Sequence, residues 1–165
     1  MRAIAIILTA VSIALAGLTL ALYITADVTV TDISCTAEDA AGREAEFLAI
    51  REQARNGIFT GTLFGSAGDG ETAPGGAGEY LFYTYTMLVN NNTFLPMKTA
   101  EIQVSPMNED ILQLPESRQA MIPPRGQGTV QATILTRKES HPVRELTLTY
   151  YLWGLPFTIR TAYSK

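Results

Sequence analysis

The sequence predicts a mainly β protein: an N-terminal transmembrane helix followed by an antiparallel β-sandwich with one inserted helix. Three observations point there. Ala3 to Ile24 is an almost unbroken apolar run without a charged side chain. From Glu79 onward, short stretches rich in Val, Ile, Thr and Tyr alternate with turn residues. Only one helical pattern lies among these strands, whereas a parallel layout needs a helix between successive strands. The chain therefore divides into an anchor over 1–26 and an extracytoplasmic domain over 27–165.

The anchor comes first. Only Thr9, Ser12 and Thr19 interrupt the run with hydroxyls. As a helix, Ala3 to Ile24 reaches about 33 Å, enough for a hydrocarbon core of about 30 Å. A cleaved secretory signal has a shorter apolar core and a small-x-small site, and Ile24-Thr25-Ala26 is a poor version of one. Arg2 supplies the positive cytoplasmic end, Asp27 and Asp32 follow on the other side, and Tyr23 suits an interface. The expected localisation is the cell membrane, single-pass, N-terminus inside, with residues 3–24 in the lipid bilayer. Secretion after signal cleavage is the alternative. Ala10, Ala14, Gly17 and Ala21 recur at helical spacing, a pattern that small residues common in such segments produce and that could also seat another helix.

Val28 to Cys35 reads as the first strand. Val28 and Val30 share one face while Ile33 and Cys35 share the other, so a bulge is expected near Asp32. Thr36, with Asp39 three residues on, suggests a capping box opening a helix over about 37–56, with Phe47, Ile50 and Ala54 on its inner side and Leu48 flanking them. Asn56-Gly57 stops it. Ile58 to Phe64 reads as a second strand. Residues 65–78 hold six glycines and one proline and no large apolar side chain, the composition of a flexible surface loop.

Glu79 to Val89 carries Tyr80, Phe82, Tyr83 and Tyr85, and aromatics on both faces predict a central strand. Asn90 to Asn92 end it, and Asn91-Asn92-Thr93 is a glycosylation acceptor pattern in a eukaryotic secretory pathway. Ala100, Ile102 and Val104 then face inward on the next strand. Ile111 to Leu114 suits a short edge strand, and Pro123 to Gly126 a turn. Val130, Ala132 and Ile134 line the following strand. Leu146, Leu148, Tyr150 and Leu152 oppose Thr147, Thr149, Tyr151 and Trp153 on the one after. A tight connection through Gly154 and Pro156 leads to a last strand bearing Phe157 and Ile159. Seven or eight strands are expected.

Several of these segments resemble a known pattern. Leu88-Val89-Asn90-Asn91-Asn92, Leu95-Pro96, Ile102-Gln103-Val104 and Ile122-Pro123-Pro124-Arg125-Gly126 before Val130 and Ile134 resemble the late-embryogenesis-abundant type 2 domain. Related membrane-anchored prokaryotic domains share this fibronectin III-like layout. The resemblance covers roughly residues 80 to 163. It implies a seven-stranded sandwich of immunoglobulin type without catalytic residues.

The chemistry of the chain narrows the function. The net charge of -4 removes the basic stripe that nucleic acids require. The single cysteine, Cys35, permits no disulfide within the chain and suits a small buried hydrophobe. The single histidine, His141, falls beside Pro142 in a turn, a poor platform for a catalytic base. Zinc needs three or four ligands, and one Cys and one His do not supply them. Asp69-Gly70-Glu71 lacks the ligand spacing of a calcium loop. Adjacent carboxylates at Glu38-Asp39 and Glu109-Asp110 diverge along a strand. No catalytic residue, cofactor, metal or small-molecule substrate is therefore expected, and the first reading is a non-catalytic binding or structural module. An enzyme built on carboxylates and tyrosines is the alternative.

One stretch stands out as a contact surface. Trp153, Leu155 and Phe157 crowd a hairpin tip, where polar residues are usual. Either Trp153 folds back to cap the core, or the tip meets the bilayer interface or another membrane or envelope protein.

Overall fold

The computed structural model describes residues 2–64, 75–115 and 120–164, except for the side chain of Ala54. Most of the glycine-rich segment, including Asp69 to Glu71, lies outside these residues, as does the expected role of Ala54. Helix α1 spans Arg2–Ile24, and none of its side chains is buried. Its threonines bond back to the preceding turn, Thr9 to the Ala5 carbonyl and Thr19 to that of Leu15, both at 2.9 Å. Their hydroxyls therefore need no water.

The domain consists of two antiparallel sheets. The first has the order β1-β3-β7-β5-β2, from strands Val28–Asp39, Tyr80–Asn91, Gly126–Arg137, Asp110–Gln113 and Thr62–Leu63. The second has the order β6-β4-β8-β9, from Ala120–Ile122, Met97–Val104, Arg144–Leu152 and Leu155–Tyr163. Strand alternation decides the core. Tyr85, Met87, Val89, Val130, Ala132 and Ile134 of one sheet meet Ile102, Val104, Leu146, Leu148 and Tyr150 of the other.

The other parity of β3 faces helix α2 (Glu44–Asn56), where Tyr80 and Phe82 bury Phe47, Ile50 and Ala40. Arg43 lies over the Phe82 ring at 4.5 Å, a cation–π contact that closes this second cluster. The aromatic-rich strand is thus central, with β1 and β7 on either side and apolar cover on both faces. Cys35 is half-buried against the main core.

The expected bulge exists: the β1–β3 register shifts between Val30 and Asp32. A second one, at Lys98–Glu101, brings Met97 and Ala100 to the same buried face despite their odd spacing, and Thr99 there has φ 53°.

Three expectations are corrected. The helix does not begin near 37: Thr36 to Asp39 continue β1, pairing with Thr84 down to Leu81. Ladder hydrogen bonds outweigh the local cap there. Asp39 serves instead as cap to a 3-10 turn over Ala40–Arg43, accepting from the Ala41 amide. Ile58 to Phe64 yields only the two residues of β2, because the segment is spent turning out of α2. Gly57 (φ 66°) and the bond from the Ile58 amide to the Gln53 carbonyl form that turn. Strand β5 starts at Asp110 and is not an edge, since β2 pairs outside it. Asn91 is fully buried, its amide donating to the carbonyls of Leu95 (2.8 Å) and Pro123 (3.1 Å), so a glycan there is incompatible with the fold.

Leu148 fills the centre of the core and is inaccessible. Leu148→Ala should cost about 2–5 kcal/mol by denaturant unfolding of the full chain in detergent. The half-exposed Leu48→Ala should stay within about 0.5 kcal/mol of the parent. Equal effects would contradict the layer assignment.

Candidate functional site

Antiparallel pairing gives the domain two unlike ends. The end next to α1 collects the starts of β1, β4, β7 and β9 and the finishes of β3 and β8. Here α1 passes into β1 through Thr25, Ala26 and Asp27 alone. Asp27 is held from both sides: its carbonyl accepts the Asn92 amide (3.0 Å) and its carboxylate accepts Asn92 Nδ2 (3.1 Å). The Tyr23 ring stacks on Phe157 at 5.2 Å, and Phe157 stacks on Tyr150 at 5.6 Å. Leu22, Thr25 and Ala26 also border a small crevice with Phe94, Leu95 and Leu155.

The β8–β9 hairpin closes this end with Trp153 and Gly154 between paired Leu152 and Leu155. Both turn residues have positive φ, 50° and 81°, as in a type I′ turn. Gly154 adopts this freely. For a bulky residue it is a strained conformation, costing about 1–2 kcal/mol where Asn or Gly would cost little.

The three predicted contact residues separate. Phe157 is half-buried between Tyr23 and Tyr150, and Leu155 is half-buried beside it. Trp153 does not fold back onto the core: Leu152 fills that place, the alternation of β8 sends the next residue outward, and Trp153 is 62% exposed.

Sequence reasoning missed the neighbours of Trp153. Phe94 is 63% exposed in the turn that Asn91 organises, where Asn91 Oδ1 accepts the Thr93 amide and hydroxyl. Lys98 and Tyr151 are cross-strand partners on the outer face, so the β4–β8 register sets them side by side. With Leu95, Pro96, Trp153 and Gly154 they line an open groove of about 380 Å³. Arg125, also exposed, is tied to this end by the hydrogen bond its backbone N–H donates to the Thr93 carbonyl.

The opposite end is polar and closed. Arg144 of β8 and Asp110 of β5 form an ion pair whose side chains are wholly enclosed. It is bidentate, Nη2 to Oδ1 at 2.7 Å and Nε to Oδ2 at 3.0 Å. Arg144 also donates to Ser140 Oγ and to the carbonyls of His141 and Val143, while Asp110 accepts the Met107 amide. Tyr83 and Tyr85 extend the network by donating to the carbonyls of Ser140 and Pro142.

Burial works against the Arg144 charge, but the hydrogen bond and charge of Asp110 prevail and hold its pKa above the ordinary value. Burial pushes Tyr83, Tyr85 and Tyr150 upward, away from ionisation. The Glu109-Asp110 pair thus splits, as alternation requires, and Asp110 points inward. His141 is exposed above the network, beside a shallow depression with Glu109 and Glu139.

A groove of about 630 Å³ runs between α2 and β7, lined by Arg43, Glu46 and Gln53 and by Leu114 and Gln131. Among the described residues, no three His, Cys, Asp or Glu side chains converge on a metal-binding point.

Compared with models of known protein families and with curated proteins, the chain matches none.

Two outcomes follow from the polar end. Arg144→Met leaves Asp110 charged, buried and unpaired and should destabilise the domain by about 3–5 kcal/mol in denaturant titrations. Adding Asp110→Leu should restore most of that loss. The tyrosines set an alkaline limit. Their raised pKa means the folded state keeps protons that the unfolded chain releases above the ordinary value of 10.0. Their contribution is complete below that pH and declines as pH rises beyond it. Thermal melts should therefore be level from neutral pH to about 10 and fall above, less steeply in Tyr85→Phe.

Proposed function

We propose that this chain is a single-pass membrane protein whose immunoglobulin- or fibronectin-like β-sandwich works outside the cytoplasm as a non-catalytic binding or structural module. The observation that carries the reading is α1: 23 residues of mean hydropathy 2.4 over its best window, with no side chain buried by the domain. A helix so apolar that buries nothing in its own protein gains most by entering lipid. Arg2 before it and Asp27 after it favour a cytoplasmic N-terminus.

The two shared-core sheets support the sandwich, and the resemblance to membrane-anchored late-embryogenesis-abundant type 2-like domains agrees with it. The non-catalytic part rests on the Arg144–Asp110 cluster. Carboxylate and tyrosines do meet there, but around ionic atoms enclosed and already hydrogen bonded, leaving nothing for a substrate to reach.

Alkaline carbonate washing of membranes, with N-terminal sequencing of the mature chain, tests the anchor. The chain should stay in the pellet and begin upstream of Ala3. A mature chain starting near Asp27 in the supernatant would replace the anchor with a cleaved signal.

A further inference from the structure

We propose that the α1-proximal end of the domain is a lipid-docking foot, in which Trp153 and Phe94 enter the outer interface of the bilayer and Lys98 and Arg125 face its phosphates. This rests on the membrane-anchor reading and adds the surface by which the domain lies on the membrane.

Four observations converge on it. The first is position. A helix of 23 residues extends about 35 Å, so with its body in the hydrocarbon its last turn lies at headgroup level. Tyr23 belongs to that turn and is stacked on Phe157, the third residue of β9 after the hairpin turn. Only three residues separate α1 from β1, and Asn92 ties down the last of them. The anchor therefore leaves the tip little freedom to stand away from the lipid.

The second is exposure. Among the described residues outside α1, the four most exposed large apolar side chains are Met121, Ile58, Phe94 and Trp153. Phe94 and Trp153 both stand at the end where α1 enters, in separate turns. The third is charge. Lys98 and Arg125 are the exposed cations of this end, while Asp27 is engaged by Asn92. Cations flanking aromatic residues match a layer of phosphates over acyl chains.

The fourth is strain. Trp153 occupies a left-handed turn position that Asn would fill at less cost, and its ring stays mostly exposed. Inserted at the interface, the indole would recover apolar contact while its N–H stays among polar headgroups.

Trp153 is the only tryptophan, so its fluorescence reports on the foot directly. The full chain would be reconstituted in vesicles of phosphatidylcholine and phosphatidylglycerol, with and without acyl-chain-brominated lipid. The proposal requires a blue-shifted emission, weak acrylamide quenching and a fall of about twofold with brominated lipid. In Phe94→Ser the bromolipid quenching should weaken while the melting temperature in detergent holds. Trp153→Asn should melt at or above the parent temperature in detergent, since only turn strain is removed.

A red-shifted emission that acrylamide quenches and brominated lipid does not, from protein that stays in the vesicles through a carbonate wash, overturns the foot and leaves the anchor standing. Release by that wash overturns the anchor and the foot together. A blue shift that appears only when membrane-protein extract is added assigns the tip to a protein partner and overturns the lipid reading.

Discussion

The ion pair between Arg144 and Asp110 is the interaction on which the arrangement of the two sheets depends. Apolar faces attract without direction, and two flat faces of Val, Leu, Ile and Tyr could meet in several offsets. A bidentate guanidinium–carboxylate contact tolerates none of them. Its members come from opposite sheets, β5 and β8, so satisfying it fixes how the sheets lie across each other. Two enclosed charges repay their lost hydration only if the remaining polar atoms are also bonded. The carbonyls of 141 and 143, Ser140 and the Met107 amide meet that demand, and the connection before β8 is pinned in consequence. Gln113 makes a second polar link between the sheets. Its side chain accepts the Val104 amide and donates to the Ile102 carbonyl, along a part of β4 that short β6 does not pair.

The two ends of the domain are consequently opposites. One is closed by a buried ion pair and by tyrosine hydroxyls bonded to backbone carbonyls. The other ends in aromatic side chains directed at solvent, beside the point where α1 enters. Antiparallel topology produces this polarity by placing the Asn91 turn, the Trp153-Gly154 turn and the start of β1 together.

How much of this could be read in the sequence follows from what each feature depends on. Strands whose inner residues recur at every second position, such as Leu146 to Leu152, were legible because burial of one face is a period-two constraint. So was the bulge near Asp32, where the parity visibly breaks. The extension of β1 through Asp39 was not, since a partner strand more than forty residues away decided it over a local helix cap. Asp110 and Arg144 are 34 positions apart, and each alone looks like an ordinary surface charge. The groove beside Trp153 depends on the β4–β8 register, which the bulge at Thr99 shifts in a way no local pattern announces. The sequence alone allows Trp153 either to cap the core or to face outward, and the two-residue turn decides it by directing the side chain away from Leu152.

The short passage from α1 to β1 has a mechanical consequence. Load passing between the helix and the domain enters through Asp27 and runs along β1, which is paired with β3 over nearly its whole length. Tension directed along a strand stretches the rungs of such a ladder in parallel, whereas tension across it would part them one by one. The joint is thus built as a shear attachment rather than a zipper, and a pull on the far end of the domain would be shared among many backbone bonds before any single one gave way.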